Sequence, residues 1–535
     1  MKNKLLLTLL ALMLVFTGCG AQSKAQDETV APESSSEESK ESKELTIAWS
    51  MDLSNFGPLT SEDGFSHDLL GLVYEPLLKY DGDKVKACLA ESYKMSDDGK
   101  EYTFKLREDV SFSDGSEFNA AVVKANMDGV LLNKERFSWM GTISKLNSVE
   151  VVSDYEVKFI LDSPYYGTLY DLTSQFPMRM ISANSFPDDG NTATMLKSSI
   201  GTGKYILSES KKDQEYIFTA NENYWGEKPE YDKVTVKIIP DHDSRILALQ
   251  TGEIDMIFGS KHLSYEGLSQ FDDSDKIQSA ISDSESSTRS ILLNANDDLL
   301  SDINVRRAIQ YATNKKSIID NVLMGAENES KSILNPSLPY CDVTYENDYS
   351  YNEAKAVEYL EKSGWILEEG KVFREKDGQK LTLNLMYVTT RGAEEDVSRI
   401  FADQMKKIGI EVKLDGVELM VWGSRGFEGD FQLTFNPTYG TPYDPHNYIS
   451  GMLSFSLDNI AQQGLENKAE LDKMIADMTM ATDEEEIQKY YTKILNTLMD
   501  SGIYVPISYE KQVALFNKEK IKNIEFGKIA SELIK

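Results

Sequence analysis

The side chains best able to ligate a metal or move a proton are scarce in this sequence. Its 535 residues hold four histidines, His67, His242, His262 and His446. No two lie close enough along the chain to form a local chelating motif, which argues against a zinc centre built from paired local ligands. The three cysteines, Cys19, Cys88 and Cys341, are too few for a disulfide scaffold. Carboxylates are abundant, 88 in all, but pairs such as Asp97-Asp98, Asp188-Asp189 and Glu394-Glu395 sit in polar, loop-like stretches. A hydrolytic pair needs tuned, separated carboxyls in a pocket. The chain has no Gly-x-Ser-x-Gly elbow, phosphate loop or dinucleotide fingerprint. These residues point to a non-enzymatic protein.

The elements that would position any site alternate between two periods. Residues 44–50 and 100–106 alternate as strands, as do 233–239. Residues 120–131 read as a helix with Val122, Val123, Met127 and Val130 inward, and 304–314 as one with Val305, Ala308, Ile309 and Ala312 on one side. Further helices are expected over 242–251, 352–363 and 393–408, and one long helical stretch over 470–499. Strands are expected at 290–294, 381–387 and 504–516. Mixed elements without a fixed-period repeat predict α/β architecture.

Charge narrows the partners. With 56 basic and 88 acidic residues the formal net charge is −32, a field that repels nucleic acid. At the N-terminus two lysines precede an apolar run, Leu5 to Phe16, that ends in Thr17-Gly18-Cys19. This reads as a signal peptide over 1–18, too short to span a bilayer comfortably. Cys19 then becomes the lipidated first residue of a lipoprotein, anchored to the outer face of the membrane. Residues 19–43, rich in Ser, Glu and Lys, form a flexible tether. Cys88 and Cys341 are expected to be buried free thiols.

An ordered set of segments carries a resemblance over nearly the whole mature chain. It comprises Val73–Leu77 (VYEPL), Ser96–Arg107, Val110–Gly115, Gly201–Tyr205 (GTGKY), Asn221–Gly226 (NENYWG), Leu247–Asp255, Val305–Ile309, Lys406–Ile410 and Val505–Ile507. In these the chain resembles the extracytoplasmic solute-binding proteins of peptide and nickel ABC importers, family 5. Arg136–Trp139, Ser163–Tyr166, Phe176–Arg179, Asn314–Asn321, Tyr439–His446 and Ala461–Leu465 make it most similar to nickel-importer binding proteins. The resemblance implies a type II periplasmic-binding-protein-like α/β fold with an extra subdomain in lobe I and a ligand cleft between lobes. Lobe I would hold 44–285 plus 512–535 and lobe II 286–511, with crossings near 286–296 and 504–517.

The resemblance also implies a cargo and a site. Nickel-importer proteins take a metal wrapped in small organic chelators, so nickel or cobalt is expected as transported ligand rather than as a cofactor. Arg136 and Arg179 match positions that would grip chelator carboxylates. Trp139 and Tyr443 match aromatic positions, and Tyr439 stands where the family usually has Trp. The histidine such proteins place after the Asp-Pro-His motif has no counterpart in 451–460. His67 and His446 are the remaining candidates for a metal-ligating nitrogen. A peptide importer is the alternative. Its relatives anchor the ligand's amine with an Asp where this chain has Pro442, with Asp444 two residues on. Expected partners are a metal chelate or peptide, the ABC permease subunits and, through Cys19, the membrane; the chain is expected to act as a monomer.

Overall fold

The computed structural model describes residues 43–535 except 54–55, 61–67, 81–83, 189–191, 193–195, 260–261, 348, 392, 439–444, 523, 527–533 and 535. Cys19, His67, Tyr439 and Tyr443 therefore lie outside the described residues.

The chain opens with strand β1 (Glu44–Trp49), whose alternation buries Leu45 and Ile47. A four-stranded antiparallel sheet follows from β2 (Ala90–Met95), β3 (Glu101–Leu106), β4 (Leu146–Ser153) and β5 (Glu156–Leu161), in the order β2-β3-β5-β4. Tyr102, Phe104 and Leu106 on β3 and Val157, Phe159 and Leu161 on β5 face inward, as a period of two requires. Helix α1 (Ala120–Leu132) covers it, started by Asn119, whose side chain accepts from the Val122 amide at 3.2 Å. Two short helices, α2 (Gly141–Lys145) and α3 (Thr168–Asp171), flank the same region.

Strands β6 (Tyr205–Lys211), β7 (Glu215–Ala220), β8 (Lys233–Ile238) and β9 (Met256–Phe258) return to β1, with helix α4 (His242–Thr251) between the last two and α5 (Tyr265–Ser269) after them. The Gly201-Thr-Gly203 turn has a packing reason: a Cβ on Gly201 would lie 2.0 Å from the Val73 carbonyl oxygen, and one on Gly203 2.6 Å from that of Leu72. Strand β10 (Ile277–Leu293) then runs 17 residues. The second half of the chain contributes α6 (Ile303–Ala312), α7 (Lys315–Asn321), β11 (Asn328–Glu329), α8 (Glu353–Lys362), β12 (Thr382–Val388), α9 (Glu394–Lys407), β13 (Glu411–Val417), α10 (Leu419–Phe427) and β14 (Leu433–Phe435). Helices α11 (Pro445–Gly451), α12 (Leu457–Gln462), α13 (Lys468–Met480) and α14 (Glu484–Asp500) precede the last strand, β15 (Tyr504–Asn517).

These strands form one eleven-stranded sheet, β13-β12-β14-β10-β15-β9-β1-β8-β7-β6, with β11 paired to β15. Buried apolar side chains fall into three clusters. One gathers residues between Leu45 and Phe258 together with Ala514, Phe516, Ile521 and Ile534. Another spans Ile291 to Ile507. A smaller one lies around α4, α5, Leu323 and Val513. The antiparallel pair β10–β15 runs from Ile277↔Asn517 to Leu292↔Tyr504 and joins the clusters, with register shifts at Ile281/Glu285, Glu285/Ser287 and Arg289/Ser290. Such shifts bend and twist a ladder locally.

At this crossing sits a buried ionic network. Arg289 on β10 bonds Glu327 Oε1 at 2.9 Å and Glu510 Oε1, on β15, at 2.8 Å. Tyr265 donates to Glu327 Oε1 at 2.6 Å, Ser508 to Glu327 and Ser287 to Glu510. Burial opposes the charge on Arg289, but the two carboxylates override it and raise its pKa.

Three sequence expectations need correction. The expected helix over 470–499 is two, α13 and α14, because Asp483 caps a new start by accepting from the Glu486 amide at 3.0 Å. The strand expected at 290–294 is the end of β10; its polar stretch Ser282–Ser287 hides the strand pattern. Glu394, expected in a polar stretch rather than a pocket, is buried at the start of α9, where it accepts from the Val388 amide at 2.9 Å.

Candidate functional site

Arg136 follows α1 and is half-buried. Its guanidinium lies 5.4 Å from the Phe137 ring centre and 5.8 Å from that of Phe176, and Nη2 donates to the Thr60 carbonyl at 3.4 Å. Trp139 packs half-buried against the first apolar cluster. Arg179 is buried: its Nη1 donates to the Tyr74 carbonyl, and a backbone bridge ties it to Pro76. Arg136 thus borders the segment 174–180, to which Arg179 belongs.

The stretch Val73–Leu77, bridged to Arg179 through Pro76, carries a buried acid. Glu75 receives hydrogen bonds from Thr202 Oγ1, Tyr224 Oη and Trp225 Nε1, each at 2.8 Å. Arg107 lies over the Trp225 ring at 4.3 Å. Burial raises the Glu75 pKa, while these three donors and the charge of Arg179 hold it down. The arrangement gives the GTGKY and NENYWG motifs their role, since unmet donors around a buried carboxylate are costly. The sequence did carry the signal: Glu75 is a lone acid in an apolar run.

His446 lies in the first turn of α11 and is 1% exposed. Its Nδ1 is hydrogen-bonded to Tyr166 and, at 2.7 Å, to Tyr491 on α14; the two phenol oxygens lie 3.1 Å apart. The rings of Tyr166, Tyr170, Tyr340 and Tyr491 surround the imidazole, with centres 4.3, 5.1, 5.6 and 5.7 Å away. Burial drives its pKa down to about 3, so the ring is neutral at physiological pH. No sequence signal marks Tyr170 or Tyr491, and Tyr166 stands out only as part of the Ser163–Tyr166 stretch. The neighbouring Asp171 on α3 is buried, accepts from the Thr142 amide at 2.8 Å and is pushed up by burial to about 7.

The segment 163–180, which includes Arg179, therefore meets Arg136 through Phe176 and His446 through Tyr166 and Tyr170. Tyr439, Tyr443 and His67, the other expected contributors, lie outside the described residues. Among the described residues no group of three or more His, Cys, Asp or Glu side chains is placed to hold a metal ion. Cys88 and Cys341 are both buried. No helix among the described residues is long and apolar enough to cross a membrane.

Known proteins supply the context for this geometry. Residues 84–458 match the bacterial extracellular solute-binding proteins, family 5. The nickel-binding periplasmic protein of Escherichia coli is 37% identical over 495 residues, 92% of this chain and 93% of that one. The crystal structure of NikA from Brucella suis in complex with Fe(III)-EDTA superimposes with a TM-score of 0.86 at 36% identity, covering 92% of this chain and 98% of that one. The oligopeptide-binding protein AppA of Bacillus subtilis, solved with a nonapeptide, is 26% identical with a TM-score of 0.76, covering 91% and 97%. The two-lobed α/β architecture of these binding proteins is the architecture of this chain, and the chain belongs to the bacterial extracellular solute-binding proteins of family 5, which bind solutes rather than transform them.

Proposed function

We propose that this protein is the substrate-binding lipoprotein of an ABC importer and captures a transition metal, nickel or cobalt, already held by a small organic metallophore. The observation that carries this reading is the 37% identity to a nickel-binding periplasmic protein along 92% of the chain. The Arg136 guanidinium, set beside the rings of Phe137 and Phe176, supports it, since guanidiniums suit chelator carboxylates and rings suit flat chelates. Nitrogen-rich chelators hold nickel and cobalt well and supply most of their coordination. Lobe I is 44–285 with 512–535 and lobe II is 286–511. Arg136, Trp139 and Arg179 come from the first, Tyr439 and Tyr443 from the second. Ligand contacts to both lobes favour closure, and the closed form presents the cargo to the permease. Lipidation at Cys19 and the tether 19–43 keep the protein at the outer membrane face.

Relatives that bind peptides, AppA among them, supply the competing reading. Native mass spectrometry of protein purified without added ligand separates the two. A metal together with a chelator is the expected mass; a family of peptide masses would overturn the assignment. Calorimetry with nickel(II) plus L-histidine gives a second check.

A further inference from the structure

The backbone of Tyr74, Glu75 and Pro76 clasps Arg179. Arg179 Nη1 donates to the Tyr74 carbonyl, the Met180 amide donates to the Glu75 carbonyl at 2.9 Å, and a backbone bridge joins Pro76 to Arg179. The Glu75 side chain is rooted at the centre of this clasp, and both it and Arg179 are buried. We propose that Glu75 is a positioning and specificity-determining residue of the binding site. Its carboxylate holds Arg179 in place and offsets its charge, so that the site prefers a chelate of low negative charge to a more highly charged anion.

Thr202 Oγ1, Tyr224 Oη and Trp225 Nε1 all donate to the Glu75 carboxyl group. An ionised carboxylate accepts from all three, whereas a neutral acid would need a further acceptor for its own proton. A buried anion also needs a cation close by. Arg107 stacks over Trp225 but directs its charge to Asp109, through Nε to Oδ1 at 2.9 Å and Nη2 to Oδ2 at 2.7 Å. Arg179, held by the backbone on both sides of Glu75, is the guanidinium placed to answer it. Burial pushes the Glu75 pKa up, while the three donors and the charge of Arg179 pull it back.

Arg179 therefore offers a chelator carboxylate its remaining N–H donors, while Glu75 offsets the long-range field of its charge. Glu75→Gln restores that field. One unit of charge acting over on the order of 10 Å, at an effective dielectric constant between about 20 and 80, changes the affinity ratio of a dianion to a monoanion by about twofold to fifteenfold. Misplacing the guanidinium, by contrast, weakens the capture of two complexes of one shape alike. The ratio thus separates a charge effect from a structural one.

Arg179 meets the ligand on the chelate-capture reading, on which this inference rests. The EDTA complexes of cobalt(III) and nickel(II) share a chelator and nearly a shape, but the first is a monoanion and the second a dianion. Calorimetry with both should show the dianion-to-monoanion affinity ratio rising about fivefold in Glu75→Gln and staying near the wild-type value in Glu75→Asp, which keeps the charge. An unchanged ratio in Glu75→Gln, or an equal rise in Glu75→Asp, overturns the proposal. A ligand-free double-mutant cycle tests the pairing itself. In urea titrations, Glu75→Gln with Arg179→Met should raise the unfolding constant about tenfold less than the product of the two single changes, and additive losses overturn the pairing. If the wild type binds neither EDTA complex, the specificity claim fails, and calorimetry with nickel(II) plus L-histidine judges the chelate reading separately.

Discussion

Replacing Arg289 with methionine should be among the most damaging single changes at the crossing strands. The guanidinium is held between Glu327, whose side chain has no exposure, and Glu510, 15% exposed. Methionine fills much of the stem's volume but leaves two carboxylates facing one another with only hydroxyl donors. Removing one partner from a buried ion pair typically costs about 3–5 kcal/mol. Spread over about 490 folded residues at ~2.1 cal/mol/K each, the unfolding entropy is about 1 kcal/mol/K, so the melting temperature should fall by about 3–5 °C. If the lobes unfold separately, the drop in one of them is about twice that.

Scanning calorimetry measures this, and Arg289→Met with Glu327→Gln should recover part of the loss, because one of the two facing carboxylates is gone. A single variant melting within a degree of wild type, or a double variant no more stable than the single one, would refute the reasoning.

Three further outcomes are expected. Asp171, with a folded pKa of about 7 against an ordinary 3.8, stabilises the fold fully only below pH 3.8, and that contribution fades as pH rises through 7. Asp171→Asn should therefore be more stable than wild type by up to a few kcal/mol at pH 8, at ~1.36 kcal/mol for each pH unit separating the two values, and no more stable at pH 4 in denaturant titrations. Glu75→Gln places an amide N–H where Thr202, Tyr224 and Trp225 donate, so thermal unfolding should register a loss of about 1–3 kcal/mol. Arg136→Ala and Arg179→Lys should each weaken nickel–histidine capture about tenfold or more in calorimetry, the loss of a charge-assisted grip being worth about 1.5–3 kcal/mol; unchanged affinity in either variant removes that residue from the site.

Much of the architecture was legible because it is local. The Asn119 cap, the inward face of α1 and the alternation of β3 and β5 follow from spacing within a few residues. The failures have physical causes. An amphipathic pattern continues across Ala481–Asp483, and only the cap at Asp483 divides it. The polar run Ser282–Ser287 lies in a strand because β15 supplies its backbone partners, something period and propensity do not record.

The sequence by itself determined the acidic balance, most of the element types and the family, since each rests on composition, short spacing or the order of motifs. The expectation of an export signal rests on it alone. Tertiary structure alone decided which of the elements meet. Glu75 finds its donors more than a hundred residues away, at Thr202, Tyr224 and Trp225, and His446 meets a tyrosine 280 positions earlier. Arg289 lies between acids contributed by two other segments. No period or propensity marks such pairs. They form because closing the sheet brings distant segments together, and a buried polar atom there must find a partner within hydrogen-bonding reach.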